Sequence, residues 1–245
     1  VSIEAAIDAA RPDAVVHLAA AADADRCEAD PALAEALNVR APELLARACA
    51  RRGIGLVAIS TDLVLTGDRA FSTEEDPVRP ALVYGRTKHA GERAVLTSHP
   101  GAAVVRVALV SGRGHGPRGT ATEAIAWALR AGRPLRLFTD QFRTPVDCDS
   151  VADGVIRLVL QGGSGLFHFG GPERLSRYEL GLRVARRLGL PSAGIEAVQQ
   201  GEGAAGLPRP ADASLDSTRA ERELGWRARS LDDSIASGRP EPARL

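Results

Sequence analysis

The chain has 245 residues with 31 basic and 31 acidic side chains, so its formal net charge is zero. This length fits one globular unit with or without a small lobe, and the balanced charge argues against electrostatic binding of nucleic acid. We find no apolar run that would span a membrane, no secretory signal and no metal-ligand spacing; the three separated cysteines indicate reduced thiols in a cytoplasmic protein.

The first predicted elements indicate an α/β fold, and the chain begins in the middle of its alternating pattern of helices and strands. Residues 2–10 have a helical pattern, and residues 13–19 (DAVVHLA) are typical of a buried parallel strand. The chain contains no methionine and begins at Val1. We therefore expect a fragment or an incomplete gene product, with further α/β structure ahead of it.

Small residues follow this first strand. Ala19, Ala20 and Ala21 lie where a parallel strand ends, and small side chains there let a ligand approach closely. A loosely packed alanine-rich loop is the alternative. Residues 31–52 then have a long helical pattern that contains Asn38, a residue type that ordinarily lies on the surface.

The stretch from Ser60 to Lys88 carries the strongest functional signal. A buried strand pattern (GLVAI) ends at Ser60, Thr61 and Asp62, and the helix predicted after the next loop carries Tyr84 and Lys88. The last two are four residues apart and share one helix face. Because a nearby cation lowers a tyrosine pKa, we expect Lys88 to tune Tyr84 for proton exchange with a substrate oxygen. An ordinary exposed helix pair is the alternative.

The remaining sequence continues the alternation of strands and helices. Arg106 lies inside a buried strand pattern, so we expect an ion pair or a polar edge position for it. Ser176 and Glu179 have the spacing of a capping box. The Gly, Ala and Pro content of residues 199–210 predicts a loop. The last ~15 residues are expected to be frayed. Further strands are predicted at 102–110, 135–138 and 166–169, and further helices at 120–131, 149–161, 177–188 and 217–224.

A glycine-rich segment, residues 111–119 (SGRGHGPRG), mimics a dinucleotide-binding fingerprint. Gly114, Gly116 and Gly119 have the required spacing between a strand and a helix. The loop is long and contains Pro117, whereas the fingerprint turn is tight. We therefore favour an ordinary loop and keep the fingerprint as the alternative.

The motifs around Tyr84 resemble the extended short-chain dehydrogenase/reductases, in particular the dTDP-4-dehydrorhamnose reductase family. That family has S-T-D-x-V-F-x-G, D-x-x-x-P and V-Y-G-x-[ST]-K-x-x-G-E in this order. A bare Y-x-x-x-K is weak evidence, but the whole ordered string is specific. The matching positions are Ser60-Thr61-Asp62, Val64, Gly67, Asp76, Pro80, Val83-Tyr84-Gly85, Thr87-Lys88 and Gly91-Glu92.

The resemblance implies a fold and a division of the chain. The fold is α/β, a doubly wound, Rossmann-like parallel sheet with a smaller C-terminal substrate lobe. Residues 1–140 would hold the Rossmann-like domain with the catalytic helix, truncated at its N-terminus, and residues 141–245 mainly the lobe, with segments that return to the sheet. The family's Gly-rich phosphate-binding turn is not found ahead of the first strand.

The resemblance also implies reduction of a keto-sugar nucleotide by NADPH or NADH. Tyr84 would donate the proton, Lys88 would lower its pKa and hold the nicotinamide ribose, and Thr61 with Ser60 would bind the substrate oxygen. The implied cofactor contacts are Ala19, Ala20, Ala21, Asn38, Tyr84 and Lys88. The implied substrate contacts are Asp62, Val64, Gln141, Arg143 and Arg209.

Several alternatives stay open. Arg143 would grip a phosphate or would pair with Asp147 or Asp149 as a structural clamp. Three alternatives to the reductase stay open. The protein is a sugar-nucleotide epimerase or dehydratase, a truncated inactive product, or a non-catalytic subunit like the reductase-like regulatory subunit of methionine adenosyltransferase. We expect a small nucleotide-sugar partner, no nucleic acid and no membrane; a homodimer, the sugar and the choice between NADH and NADPH stay open.

Overall fold

A computed structural model of the chain describes residues 2–116, 119–201, 207 and 209–238. The α-helices are α1 (Ile3–Ala10), α2 (Ala24–Ala29), α3 (Pro31–Glu35), α4 (Ala41–Ala50), α5 (Val83–Ser98), α6 (Ala121–Arg130), α7 (Cys148–Gln161), α8 (Arg177–Arg187), α9 (Thr218–Leu224) and α10 (Leu231–Ser237). The strands are β1 (Ala14–His17), β2 (Gly55–Thr61), β3 (Ala103–Val107), β4 (Val110–Ser111), β5 (Leu135–Phe138), β6 (Phe142–Arg143), β7 (Val146–Asp147), β8 (Gly165–Phe169), β9 (Leu175–Ser176) and β10 (Ile195–Val198).

Four parallel strands form the main sheet in the order β1-β2-β3-β8. Strand side chains alternate between the two faces, so Leu56 packs with α1, α4 and α5, whereas its neighbour Val57 packs with α7 and α9. Helices therefore cover both faces of a parallel sheet, and the predicted α/β fold class is confirmed.

A second layer of structure lies around α6, α8 and α10. Ile125, Leu180 and Leu231 share a core there, and β5 pairs in parallel with β10. The expectation of a frayed end is wrong for Leu231–Ser237, because this helix is capped by Ser230 and buries Leu231 and Ile235. β8 belongs to the main sheet, and the boundary at residue 140 stays a prediction.

Most element bounds lie close to the predicted ones, with two informative differences. The helix predicted at 31–52 is α3 and α4 joined by one π-helical stretch, Ala36–Arg40, which contains Asn38. The strand predicted at 102–110 is divided into β3 and β4. The predicted capping box is present, because Ser176 and Glu179 exchange side-chain and main-chain hydrogen bonds. Part of the loop predicted at 199–210 lies outside the described residues.

In the part of the chain that the structure describes, every helix is too short or too polar to cross a membrane.

Candidate active site

Helix α5 places Tyr84 over the end of β2 through two close contacts. The main-chain N–H of Val83, at the start of the helix, donates to Glu28 Oε1 at 2.6 Å. A Cβ on Gly85 would lie 2.4 Å from the carbonyl oxygen of Leu63, so only glycine permits this approach. The first turn of α5 is therefore pinned beside the segment that follows Thr61.

The Tyr84 phenol is buried, and burial governs its pKa. Burial raises the pKa of Tyr84 to about 12; the nearby Thr61 hydroxyl opposes this rise, whereas Asp62 and Cys27 add to it. The net shift is therefore upward, and the expectation that Lys88 lowers the pKa of Tyr84 stays a prediction. Tyr84 is consequently a neutral phenol that holds its proton at neutral pH.

Lys88 lies one turn further along α5 and is 8% exposed. Its Nζ donates a 2.7 Å hydrogen bond to the main-chain oxygen of Ile59 on β2. Burial lowers the pKa of Lys88, and the carboxylate of Glu92 acts against that shift. The ammonium is thus held against the strand that leads to the candidate substrate hydroxyls.

The two hydroxyls at the end of β2 have different partners. Ser60 Oγ donates to Glu92 Oε1 at 2.5 Å, and its contact with the substrate oxygen stays a prediction. Thr61 Oγ1 donates to Asp62 Oδ1 at 3.1 Å and accepts from the main-chain N–H of Leu63 at 3.2 Å. Thr61 is the hydroxyl beside Tyr84.

Asn38 fastens the alanine-rich loop to α5. Its Oδ1 accepts from the main-chain N–H of Ala21 at 2.9 Å, and its Nδ2 donates to the Ala21 oxygen at 3.1 Å and to Thr87 Oγ1 at 3.0 Å. Asn38 is 1% exposed, so the surface alternative is wrong. Ala19 is exposed, and Ala20 and Ala21 are partly exposed, beside this anchored loop.

Asp62 and Arg143 form a buried pair next to Thr61. Arg143 Nε lies 3.6 Å from Asp62 Oδ2, and its Nη1 donates to the main-chain oxygen of Pro210 at 3.1 Å. The predicted alternative of a clamp with Asp147 or Asp149 is wrong, because Arg143 pairs with Asp62. Burial raises the pKa of Asp62, and the positive charge of Arg143 opposes that rise.

Arg177, at the start of α8, belongs to the same group and was missed by sequence reasoning. Burial together with the charges of Arg143 and Arg209 lowers its pKa to about 10, and Asp62 acts in the opposite direction. The only sequence signal was its place after the capping serine, Ser176. The three guanidinium groups therefore share one region with the carboxylates of Asp62 and Asp212, and this small excess of positive charge favours an anion.

Two other predicted substrate contacts are less accessible. Val64 is 0% exposed in the main core, so it packs and does not contact a ligand in this conformation. Gln141 is 4% exposed, and its main-chain oxygen accepts from the N–H of Arg177 at 2.9 Å. Residues 117 and 118 of the glycine-rich segment 111–119 lie outside the described residues, and the role of that segment stays a prediction.

The parallel α/β sheet, with Tyr84 and Lys88 four residues apart beside Thr61, defines the class of extended short-chain dehydrogenase/reductases. The chain belongs to the family of the RmlD substrate-binding domain, whose model matches residues 1–238. The predicted resemblance to the dTDP-4-dehydrorhamnose reductase family is thereby confirmed.

Three curated relatives show the range of the family. A probable low-salt glycan biosynthesis reductase of Haloferax volcanii is 33% identical over 92% of this chain and 76% of its own length. The dTDP-4-dehydrorhamnose reductase of Mycobacterium tuberculosis is 34% identical over 86% and 69%. The methionine adenosyltransferase 2 subunit beta of Xenopus laevis is 31% identical over 90% and 68%.

Solved structures share the fold over nearly the whole chain. A hypothetical dTDP-4-dehydrorhamnose reductase from Sulfolobus tokodaii superposes with a TM-score of 0.85 at 28% identity, and it covers 97% of this chain and 82% of its own. A dTDP-4-dehydrorhamnose reductase from Bacillus anthracis in complex with NADP has a TM-score of 0.87 at 22% identity over 96% and 82%.

Proposed function

We propose that this protein is a reductase of a keto-sugar nucleotide and uses NADPH or NADH. The observation that carries the proposal is the pairing of the Tyr84 phenol with Thr61 at the end of β2, beside a cluster of arginines. Two of the relatives are reductases by name. The proton chemistry and the anion site together fit a substrate that has a ketone and a phosphate group.

Tyr84 would give its proton to the ketone oxygen, and the Thr61 hydroxyl would turn from Asp62 Oδ1 to donate a hydrogen bond to the same atom. A phenol whose pKa is about 12 holds its proton at neutral pH, so the donor is present in the correct state. Lys88 would hold the positive charge that stabilises the phenolate once the proton has left. NADPH or NADH supplies the hydride when bound, which is chemistry that the side chains do not provide.

The residues beside Lys88 fit the ribose end of such a cofactor. The buried Nε2 of His17 has no hydrogen-bond partner among the described residues, and Lys88 uses one of its three donors on Ile59. The exposed Ala19 adds a small side chain at the strand end. A polar ribose would satisfy these groups, and Ala19 would let it approach.

The arginine cluster would bind the phosphates of the substrate. One guanidinium group can donate two parallel hydrogen bonds to two oxygens of a phosphate. In the absence of an anion, the positive charges of Arg143, Arg177 and Arg209 repel one another. Asp62 offsets part of this charge and fixes Arg143. A nucleoside diphosphate carries enough negative charge for the rest.

The test is a turnover assay on the full-length protein. We expect net oxidation of NADPH or NADH in the presence of a 4-keto-6-deoxy sugar nucleotide, and a loss of at least ~100-fold in kcat for Tyr84→Phe. Tyr178→Phe, at a tyrosine on α8, is the matched control and should retain activity. Equal rates for Tyr84→Phe and the wild type would refute the assignment.

Two alternatives predict other results in the same assay. An epimerase or dehydratase would convert the sugar nucleotide without net consumption of the cofactor. A non-catalytic subunit, suggested by the methionine adenosyltransferase relative, would bind NADPH without turning over any sugar nucleotide. The buried and organised Tyr84 and Lys88 favour an enzyme over a non-catalytic subunit, and the Ser60-Thr61-Asp62 string favours the reductase over an epimerase or dehydratase.

A further inference from the structure

One face of α5 contacts the end of β2 at three successive turns. Tyr84, Lys88 and Glu92 are spaced four residues apart and therefore lie on the same helix face. Tyr84 faces Thr61, Lys88 donates to the oxygen of Ile59, and Glu92 accepts from Ser60. The third contact therefore holds the helix to the residue next to Thr61.

The Glu92 carboxylate is fully engaged on the protein side. Its Oε1 accepts from Ser60 Oγ at 2.5 Å and from Arg106 Nε at 3.0 Å. Its Oε2 accepts from Arg106 Nη2 at 2.9 Å and lies 3.1 Å from His89 Nδ1. Glu92 is 5% exposed, so it is placed to hold other residues and not to touch a substrate.

A row of polar residues across the sheet holds this carboxylate in place. Ser60, Arg106 and His168 are register neighbours on β2, β3 and β8. Arg106 Nη1 lies 3.3 Å from His168 Nε2, and His168 Nδ1 lies 3.0 Å from the main-chain oxygen of Ser72. A carbonyl only accepts, so Nδ1 carries the proton and Nε2 accepts from Arg106. The Arg106–Glu92 ion pair is thus anchored through His168 on β8, two strands from Ser60 on β2.

We propose that Glu92 is a positioning residue: backed by Arg106, its carboxylate ties the helix of Tyr84 and Lys88 to the strand end of Thr61 and supplies the counter-charge of Lys88. The catalytic part of this inference rests on the proposed function. Burial by itself favours a neutral lysine, and the Glu92 carboxylate is the charge that opposes it. His17 on β1 also faces Lys88, and its pKa is lowered by burial and by the Lys88 charge.

The chain offers a direct probe of this charge, because Lys88 is its only lysine. Protein labelled with ¹³C at the lysine ε-carbon gives one lysine signal, which needs no assignment. We expect the titration midpoint of that signal to fall in Glu92→Gln and to return toward the wild-type value in Glu92→Asp, which restores the charge. Glu43→Gln, at a partly exposed acid on α4, is the matched control and should leave the midpoint unchanged.

Glu92→Gln leaves the Arg106 charge buried without its partner, which threatens folding. The double variant Glu92→Gln/Arg106→Gln removes both charges and decides the question if the single variant does not fold. A Lys88 midpoint unchanged in a folded variant that lacks the Glu92 charge overturns the proposal. This measurement needs neither cofactor nor substrate, so it is independent of the proposed function.

Kinetics on the complete protein separate positioning from simple stability. For Glu92→Gln, or for the double variant, we expect kcat to fall by ~10-fold or more with KM nearly unchanged at a temperature where the variant is folded. Glu92→Asp should recover part of that loss. Equal kcat in the wild type and the folded variant would show that Glu92 only stabilises the fold and would overturn the positioning role.

Discussion

The ammonium of Lys88 donates a 2.7 Å hydrogen bond to the main-chain oxygen of Ile59, two residues before Thr61 on the same strand. This contact fixes the lysine against β2 while burial raises the pKa of Tyr84 to about 12. The protein in this state therefore stores the proton on Tyr84. A reductase needs a donor in that form, and the lysine charge becomes useful once the proton has been given up.

The ionisation of Tyr84 can be measured directly, because the chain has two tyrosines. In Tyr178→Phe, with the remaining tyrosine ¹³C-labelled at Cζ, we expect a titration midpoint near 12. Since the folded pKa is raised, the stabilisation is complete below the usual pKa of 10 and is lost as pH rises from 10 to about 12. A midpoint at or below 10 would contradict the buried-donor model.

A second prediction concerns the acid side and His168. Burial and the facing charge of Arg106 lower its pKa from 6.5 to about 4. Because the folded pKa is depressed, the stabilisation is present above pH 6.5 and is lost as pH falls through 4. The difference corresponds to about 3 kcal/mol of unfolding free energy. Urea unfolding between pH 7 and 4 measures it.

The matched variants for this measurement are His168→Gln and His115→Gln. A glutamine at 168 can accept from Arg106 and donate to the oxygen of Ser72 without titrating, so we expect the loss of stability below pH 6.5 to shrink by about 3 kcal/mol. His115 is exposed, and its variant should keep the wild-type profile. Identical profiles for both variants would mean that His168 carries no proton-linked stability.

The sequence was sufficient for the elements whose signals are local. The apolar run of β2 and the spacing of Tyr84 and Lys88 predicted both elements and their proximity. The sequence was insufficient where contacts between residues far apart in the chain determine the structure or the pKa. Glu92 is 32 residues from Ser60, and the burial of Tyr84 by neighbouring elements reverses its expected pKa shift. Helix α10 was missed because LDDSIAS is a polar segment whose helix depends on packing of Leu231 and Ile235.

The arginine cluster gives a third prediction, in which affinity and stability separate. Arg177→Gln removes a charge that binds phosphate in the proposed function but that repels Arg143 and Arg209 in the free protein. We expect a ~10- to 100-fold weaker affinity for a nucleoside diphosphate such as TDP or UDP, since one charge-assisted hydrogen bond contributes ~1.5–3 kcal/mol. The free energy of unfolding should stay equal or rise.

Isothermal titration calorimetry at two salt concentrations checks the affinity, and urea unfolding checks the stability. Arg186→Gln changes an exposed arginine on the same helix and serves as the control. The salt dependence of binding should be weaker in Arg177→Gln than in either the wild type or the control. If both variants bind alike, the cluster is not the phosphate site.

The last prediction concerns Gly91, where α5 crosses the π-helical stretch that holds Asn38. A Cβ at position 91 would lie 2.0 Å from the carbonyl oxygen of Asn38. In an exposed helix, Gly→Ala stabilises by ~1 kcal/mol. Here the forced separation of the two backbones should instead destabilise the protein by ~1–3 kcal/mol.

The displacement should also reach the loop that Asn38 fastens. We expect faster hydrogen exchange at the Ala21 amide, whose N–H donates to Asn38 Oδ1, in Gly91→Ala than in the wild type. Gly194→Ala is the control, because a Cβ there meets no atom within 4 Å. Unchanged exchange at Ala21 together with unchanged urea unfolding would mean that the helix contact at Gly91 does not set the position of the alanine loop.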